Sequence, residues 1–251
     1  MKMRTLVTTT KWSAPILLAS VSLFANATEL NANLGLSLLG EQNHVIGEDN
    51  DVKIHPYLNV QYGMFIVGPE GIGLTKKIGT NDQFSSVFLM RESVFDKEDN
   101  SLLKHFDKRD DATELALQWT HYTPIVDITT AISTDVSNTH EGYEAKLMLS
   151  KKLQTRLGTF IPAAAIQHQS DELVDYYYGV SSKESNSRFS AYKGEAVTNT
   201  NLSLTHVYPI TTKWHLATRV AYDHLGEAIA DSPIVKRSNY WSGAFSVFYQ
   251  F

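Results

Sequence analysis

The chain has 251 residues, 27 acids against 22 bases, a formal net charge of −5 and no cysteine. A mildly acidic chain lacks the positive field needed to hold nucleic acid or anionic lipid through bulk charge. Without cysteine it has no disulfide or thiolate chemistry, and its length suits one domain or one medium barrel.

Lys2, Arg4 and Lys11 precede an apolar run from Ala14 to Phe24, and Ala25-Asn26-Ala27 follows as a small-x-small site. This is the pattern of a cleaved signal peptide over 1–27, with the mature chain starting at Thr28. As a helix the run would span only about half of a hydrocarbon core. Removing the segment takes three positive charges with it and moves the net charge to −8. Beyond it no apolar run approaches the length of a membrane helix, which leaves a periplasmic β-protein or an outer-membrane barrel.

From Thr28 onward, segments of about ten residues alternate with the period of two that marks a β-strand. Leu30–Leu39 puts Leu34, Leu36 and Leu38 on one face, and a polar loop follows at 40–51. Pro56–Met64 sets Leu58, Val60, Tyr62 and Met64 against Tyr57, Asn59 and Gln61. Strands are expected at 71–78 and 83–91, split by the turn residues Gly79-Thr80-Asn81-Asp82. Phe95–Asp111 is the most charged stretch and reads as a long surface loop. Further strands are predicted at 114–122, 125–136, 143–150 and 156–168, and a long segment at 169–196 carries Tyr176-Tyr177-Tyr178. A hairpin over 199–208 and 214–223 has the clearest faces, with Trp214, Leu216, Thr218, Val220 and Tyr222 opposite His215, Ala217, Arg219, Ala221 and Asp223. After a loop at 225–238 the chain closes on Trp241–Phe251, where aromatics mark both ends of an alternating strand.

Two features favour an antiparallel up-and-down transmembrane barrel over a soluble sandwich. Connections alternate between short turns and long loops, as expected when one barrel end is trimmed and the other faces outside. Charges also sit mid-strand on the face opposite the Leu and aromatic residues, where an enclosed lumen lets opposite signs pair. The lumen-facing set is Glu114, Asp127, Asp135, Glu144, Lys146, Arg156, His215, Arg219 and Asp223. The barrel should have ten to twelve strands, and twelve is favoured because both ends should lie on the periplasmic side. Eleven strands are visible, so either the Tyr-rich segment is the twelfth or an N-terminal strand is misread.

Several motifs together resemble one family. They are Pro56-Tyr57 followed by Tyr62-Gly63, Asp135-Val136-Ser137-Asn138-Thr139-His140-Glu141-Gly142, Asp175-Tyr176-Tyr177-Tyr178-Gly179-Val180, Asp231-Ser232-Pro233-Ile234-Val235 and the closing Phe248-Tyr249-Gln250-Phe251. In this order the chain resembles the outer-membrane family named for OmpV and the MltA-interacting protein MipA. The resemblance implies an outer-membrane barrel of a Gram-negative bacterium, embedded in outer-membrane lipid and inserted by the barrel assembly machinery, with Phe251 as its assembly signal. For the family's namesake it also implies a scaffold between a murein-cleaving lytic transglycosylase and a murein-synthesising enzyme.

Catalytic readings are weak beside the structural ones. Ser137, His140 and Glu141 are the nearest Ser–His–acid group, but beside Gly142 they read better as a tight strand connection. The nine histidines are scattered with no ligand spacing, and no cofactor or metal is expected. Tyr176, Tyr177 and Tyr178 are a candidate contact surface, against packing into the barrel mouth. The sequence therefore points to a non-enzymatic scaffold or interaction barrel, with a narrow channel for small polar solutes as the alternative.

Overall fold

The computed structural model describes residues 30–251, so the signal segment expected at 1–27 lies outside the described residues. One sheet contains β1 (Leu30–Glu41), β2 (Asp51–Tyr62), β3 (Phe65–Gly68), β4 (Gly71–Ile78), β5 (Asp82–Arg91), β6 (Ala112–His121) and β7 (Asp127–Asp135). It continues through β8 (Tyr143–Ser150), β9 (Leu153–Thr155), β10 (Gly158–Gln169), β11 (Val197–Pro209), β12 (Trp214–His224) and β13 (Asn239–Gln250). Two short helices, α1 (Asp171–Tyr178) and α2 (Glu227–Ala230), belong to the loops.

β8 and β9 both pair with β10 and are two pieces of one stave, so the wall has twelve. Every pairing is antiparallel, and β13 returns to β1 in register from Asn33↔Gln250 to Glu41↔Ser242. That closure leaves no free edge at the seam, as lipid demands of a sheet. The stave missed by sequence periodicity is β3, whose four residues are too few to show alternation. The Tyr-rich segment is instead helix α1, capped where the Ser170 hydroxyl accepts from the Leu173 N–H.

Side chains alternate as expected. Leu202 and Leu204 on β11 are exposed on the outer face, whereas Asn201 and Thr205 turn inward. On the inner wall of the periplasmic half, Tyr57 stacks on Phe248 at 4.6 Å and His215 on Phe248 at 5.4 Å. The rings bridge β2, β13 and β12 over Gly35 of β1, where an added Cβ would lie 2.0 Å from the Val247 carbonyl and 2.8 Å from the Phe248 Cβ.

The long loops fold into a packed lid over the other end. Val45, Phe95, Leu103, Phe106, Val180, Phe189 and Ile234 come from four different loops and bury one another. Leu173, Val174, Tyr177 and Tyr178 of α1 share a second cluster with Val197, Leu225, Ile229 and Tyr240, which joins the lid to the top of the barrel. Their spacing puts them on one helix face. Asn100, fully buried, ties two loops by donating to the Ile46 carbonyl and to Glu48 Oε1, both at 2.9 Å. Arg109 Nη1 lies 3.0 Å from Glu184 Oε1, and the Ser181 and Asp107 N–H groups also donate to that carboxylate. Burial would raise the Glu184 pKa, but the Arg109 and backbone hydrogen bonds outweigh it and hold the group at about 2.

His44 is buried in the lid, 3.0 Å from the Tyr178 hydroxyl and stacked on Tyr240 at 5.1 Å. Burial, with Lys236 and Arg237 adding to it, pushes its pKa down to about 4.

Two predictions follow from this architecture. Leu204→Arg places a cation in lipid and should cost about 2–4 kcal/mol, whereas Asn201→Arg, facing the lumen beside Asp223, should cost clearly less. Equal losses in denaturant titrations of the folded barrel would contradict the assignment of faces. The second prediction concerns acid. An unfolded loop protonates its histidine near pH 6.5, so between about pH 6.5 and 4 it binds more protons than the folded lid does. Lid stability should therefore be complete above that window and fall by up to about 3 kcal/mol as pH drops through it. Limited proteolysis within 92–111 should show this onset, and His44→Phe should flatten it down to about pH 4.5, below which the unfolded chain protonates Glu184 and the folded lid does not.

Candidate functional site

Between the lid and the ring stack lies a cavity of about 1320 Å³. Its roof includes His44, Tyr177, Tyr178 and Tyr240, and its walls carry most of the charge of the lumen. The centre of that charge is Arg91, at the top of β5. Its guanidinium meets the Glu114 carboxylate through Nε, and its Nη2 lies 3.1 Å from Glu144 Oε2. Gln169 Nε2 donates to the same Glu144 oxygen at 2.9 Å.

His140 completes the group from the β7–β8 connection. Its Nδ1 accepts from the Gly142 N–H at 3.0 Å, which leaves the proton on Nε2, 3.1 Å from Glu114 Oε1. Glu114 and His140 are both almost fully buried, so each needs the other partners in place. Removing one member of such a buried set leaves a charge uncompensated, at a cost of about 3–5 kcal/mol.

A second group faces Arg91 across the cavity. Asp223 accepts from Asn201 Nδ2 at 2.7 Å and interacts electrostatically with Arg219 and Lys146. Glu70, in the β3–β4 turn, interacts with the same two cations. Glu114, Glu144, Lys146, Arg219 and Asp223 of the expected lumenal set thus line one cavity.

The other four lie elsewhere. Asp127 sits at the periplasmic end of β7, 3.7 Å from Lys151 Nζ. Asp135 turns away to organise its own loop, accepting from the N–H groups of Ser137, His140 and Glu141 at 2.7, 2.7 and 3.0 Å. Arg156 is exposed in the turn between β9 and β10, and His215 belongs to the ring stack.

Ser137 donates its hydroxyl to Asp135 at 2.7 Å and accepts from the Thr113 N–H, which commits it to the loop rather than to His140. Asn138 and Glu141 both adopt φ of 55°, so this connection is a tight turn with a structural task. Of the three tyrosines, Tyr177 and Tyr178 are buried in the lid. Tyr176 is half-buried, and its hydroxyl accepts from the Asp110 N–H at 2.8 Å. Phe251 is exposed, its N–H donating to the Ala32 carbonyl at 3.0 Å and its ring edge-on to Tyr249 at 4.8 Å.

Sequence reasoning missed Arg91 and Glu70. The signal for Arg91 was a lone base directly after the apolar run Val87–Met90, and Glu70 was hidden in a Gly-Pro-Glu-Gly turn.

Comparison with known proteins places this architecture. Residues 34–251 match the family model described as MltA-interacting protein MipA. Outer membrane protein OmpV of Vibrio cholerae is 30% identical over 63% of this chain, and the match spans only 62% of OmpV's own length. Outer-membrane protein YiaT of Escherichia coli is 24% identical over 94% of this chain and 97% of its own. The MltA-interacting protein of Escherichia coli is 25% identical over 79% of this chain and 80% of its own. With a twelve-stave closed barrel matched by that model over nearly all of its described length, the chain is an outer-membrane β-barrel and belongs to the MipA family.

Proposed function

We propose that the barrel is a non-enzymatic scaffold whose periplasmic end engages murein-remodelling enzymes, a hydrolase and a synthase. The observation that carries this reading is the obstructed bore. A packed lid sits over one end, a row of stacked rings narrows the other, and paired charges line the wall between. A barrel built this way offers surfaces in place of a passage. The relative named for its interaction with MltA supports the choice of partner class.

The periplasmic turns supply a surface of suitable character. Ile125, Leu157 and Ile210 lie at three neighbouring turns of that end and are strongly exposed, at 85%, 67% and 53%. Exposed aliphatic tips grouped at one end of a barrel suit a protein partner. The Ser–His–acid group argues against hydrolysis, since both ring nitrogens of His140 are engaged and Ser137 points to Asp135.

The size of the cavity favours one second reading, a narrow channel for small polar solutes. Conductance separates the two. In planar bilayers the protein should show little or no steady current, because mixed charge and a packed lid block an axial path. In mild detergent it should co-purify with a murein hydrolase or synthase, and Ile125→Asp with Ile210→Asp should abolish that without changing heat-modifiable migration. Stable, reproducible channels in the unaltered protein would replace the scaffold with a pore.

A further inference from the structure

The barrel wall is complete at the seam but not everywhere. β3 pairs with β2 only at Val60, Gln61 and Tyr62, then stops at Gly68 because Pro69 has no N–H to extend the ladder. β4 starts again at Gly71, whose φ of 122° suits glycine, and its register on β5 reaches only Phe88. Above that turn the ladders leave β2 from Asp51 to Leu58 and β5 from Leu89 to Arg91 without a strand between them.

The gap lies at lipid depth. Through β1, Val52 and Ile54 align with Gly40 and Leu38, and these align with Gly243 and the outward-facing Phe245 of β13. The cavity passes through this gap, because its lining includes the outward-facing Val52, Ile54 and Met90 together with the inward-facing Lys146 and Asp223. Unbridged strand edges at that depth are tolerated only where they border a polar, hydrated space, which the cavity provides.

Inside, the Lys146 ammonium makes no hydrogen bond or close ion pair among the described residues, although Glu144, Glu70 and Asp223 surround it at longer range. Asp49, Asp96 and Asp99 line the water-side rim of the same cavity, beside Asp51, which is paired with Lys53 at 3.0 Å. An apolar mouth, an unengaged cation within and acids around it together describe one kind of visitor.

We propose that this lateral opening admits a zwitterionic membrane amphiphile, whose anionic headgroup moiety binds Lys146 while its ammonium faces the acids and its acyl chain stays in the bilayer against Val52, Ile54 and Met90. The acidic rim works against amphiphiles that carry only negative charge. Apolar tails without a headgroup gain nothing from Lys146. The inference does not depend on whether the barrel binds murein enzymes.

A photoreactive p-benzoylphenylalanine at Gln167, which lines the cavity next to Lys146 in register, tests this directly. The protein is reconstituted in vesicles of equimolar phosphatidylethanolamine and phosphatidylglycerol, and the lipid adducts are identified by mass spectrometry. The same probe at Ile166, on the outer face, reports the surrounding lipid. At position 167 the ethanolamine lipid should be enriched over the glycerol lipid by about tenfold relative to position 166, the worth of one charge-assisted hydrogen bond. Lys146→Met should lower lipid labelling at 167 by about tenfold relative to 166 and Lys146→Arg should keep it, whereas Asp49→Asn with Asp96→Asn should remove the preference for the ethanolamine lipid, with heat-modifiable migration confirming that each variant folds. Equal labelling by both lipids at 167, no lipid adduct there while 166 labels, or an adduct with a second polypeptide would each overturn the proposal.

Discussion

A bilayer offers no water to a peptide group, and the wall depends on that fact. Each unpaired N–H or C=O in hydrocarbon costs several kcal/mol, so a sheet that crosses must close on itself. Here the closing ladder of β1 on β13 runs over the whole lipid-facing height. Period-two alternation follows from the same demand, because one face of every stave meets lipid and the other meets the lumen. The lid adds a different kind of stability. Its phenylalanines, aliphatics and the α1 tyrosines form an ordinary hydrophobic core outside the membrane, stitched by Asn100 and by the Arg109–Glu184 pair.

These two parts divide the work of the lumen. The lid covers one end of the bore and the ring stack lines the other, while the ladders of the short β3 leave the upper parts of β2 and β5 unbridged. The charges in the cavity meet that arrangement in two ways. Arg91 is consumed by Glu114 and Glu144, and so holds β5, β6 and β8 together. Lys146 is not consumed in this way, and it looks into the space that the wall leaves open.

How legible this was in the sequence depends on length and contrast. The staves at 143–150 and 71–78 fall where alternation and turn residues place them, and the 214–223 strand is one residue longer. The faces of 143–150 and 214–223 differ strongly, whereas 71–78 is marked by the turn residues that follow it from Gly79. β2 begins five residues before the expected Pro56, because a polar start with Asp51 and Lys53 looks like loop until the lumen accounts for it. β3 was illegible because four residues carry no period. The three tyrosines left two readings open, a contact surface or packing into the barrel mouth, and the helix decides between them by turning Tyr177 and Tyr178 into the core and Tyr176 toward Asp110. Asp135 and Arg156 were assigned by parity, which fails at strand ends, where a side chain can cap a loop or meet water.

Backbone amide exchange, measured residue by residue in lipid nanodiscs, is the most direct test of the incomplete wall. Amides of β2 between Asp51 and Leu58 that point away from β1 should exchange rapidly, while those of β12 and β13 at the same depth stay protected. Protection along both edges of β2 equal to that of β12 would show that the wall is continuous and would contradict the account.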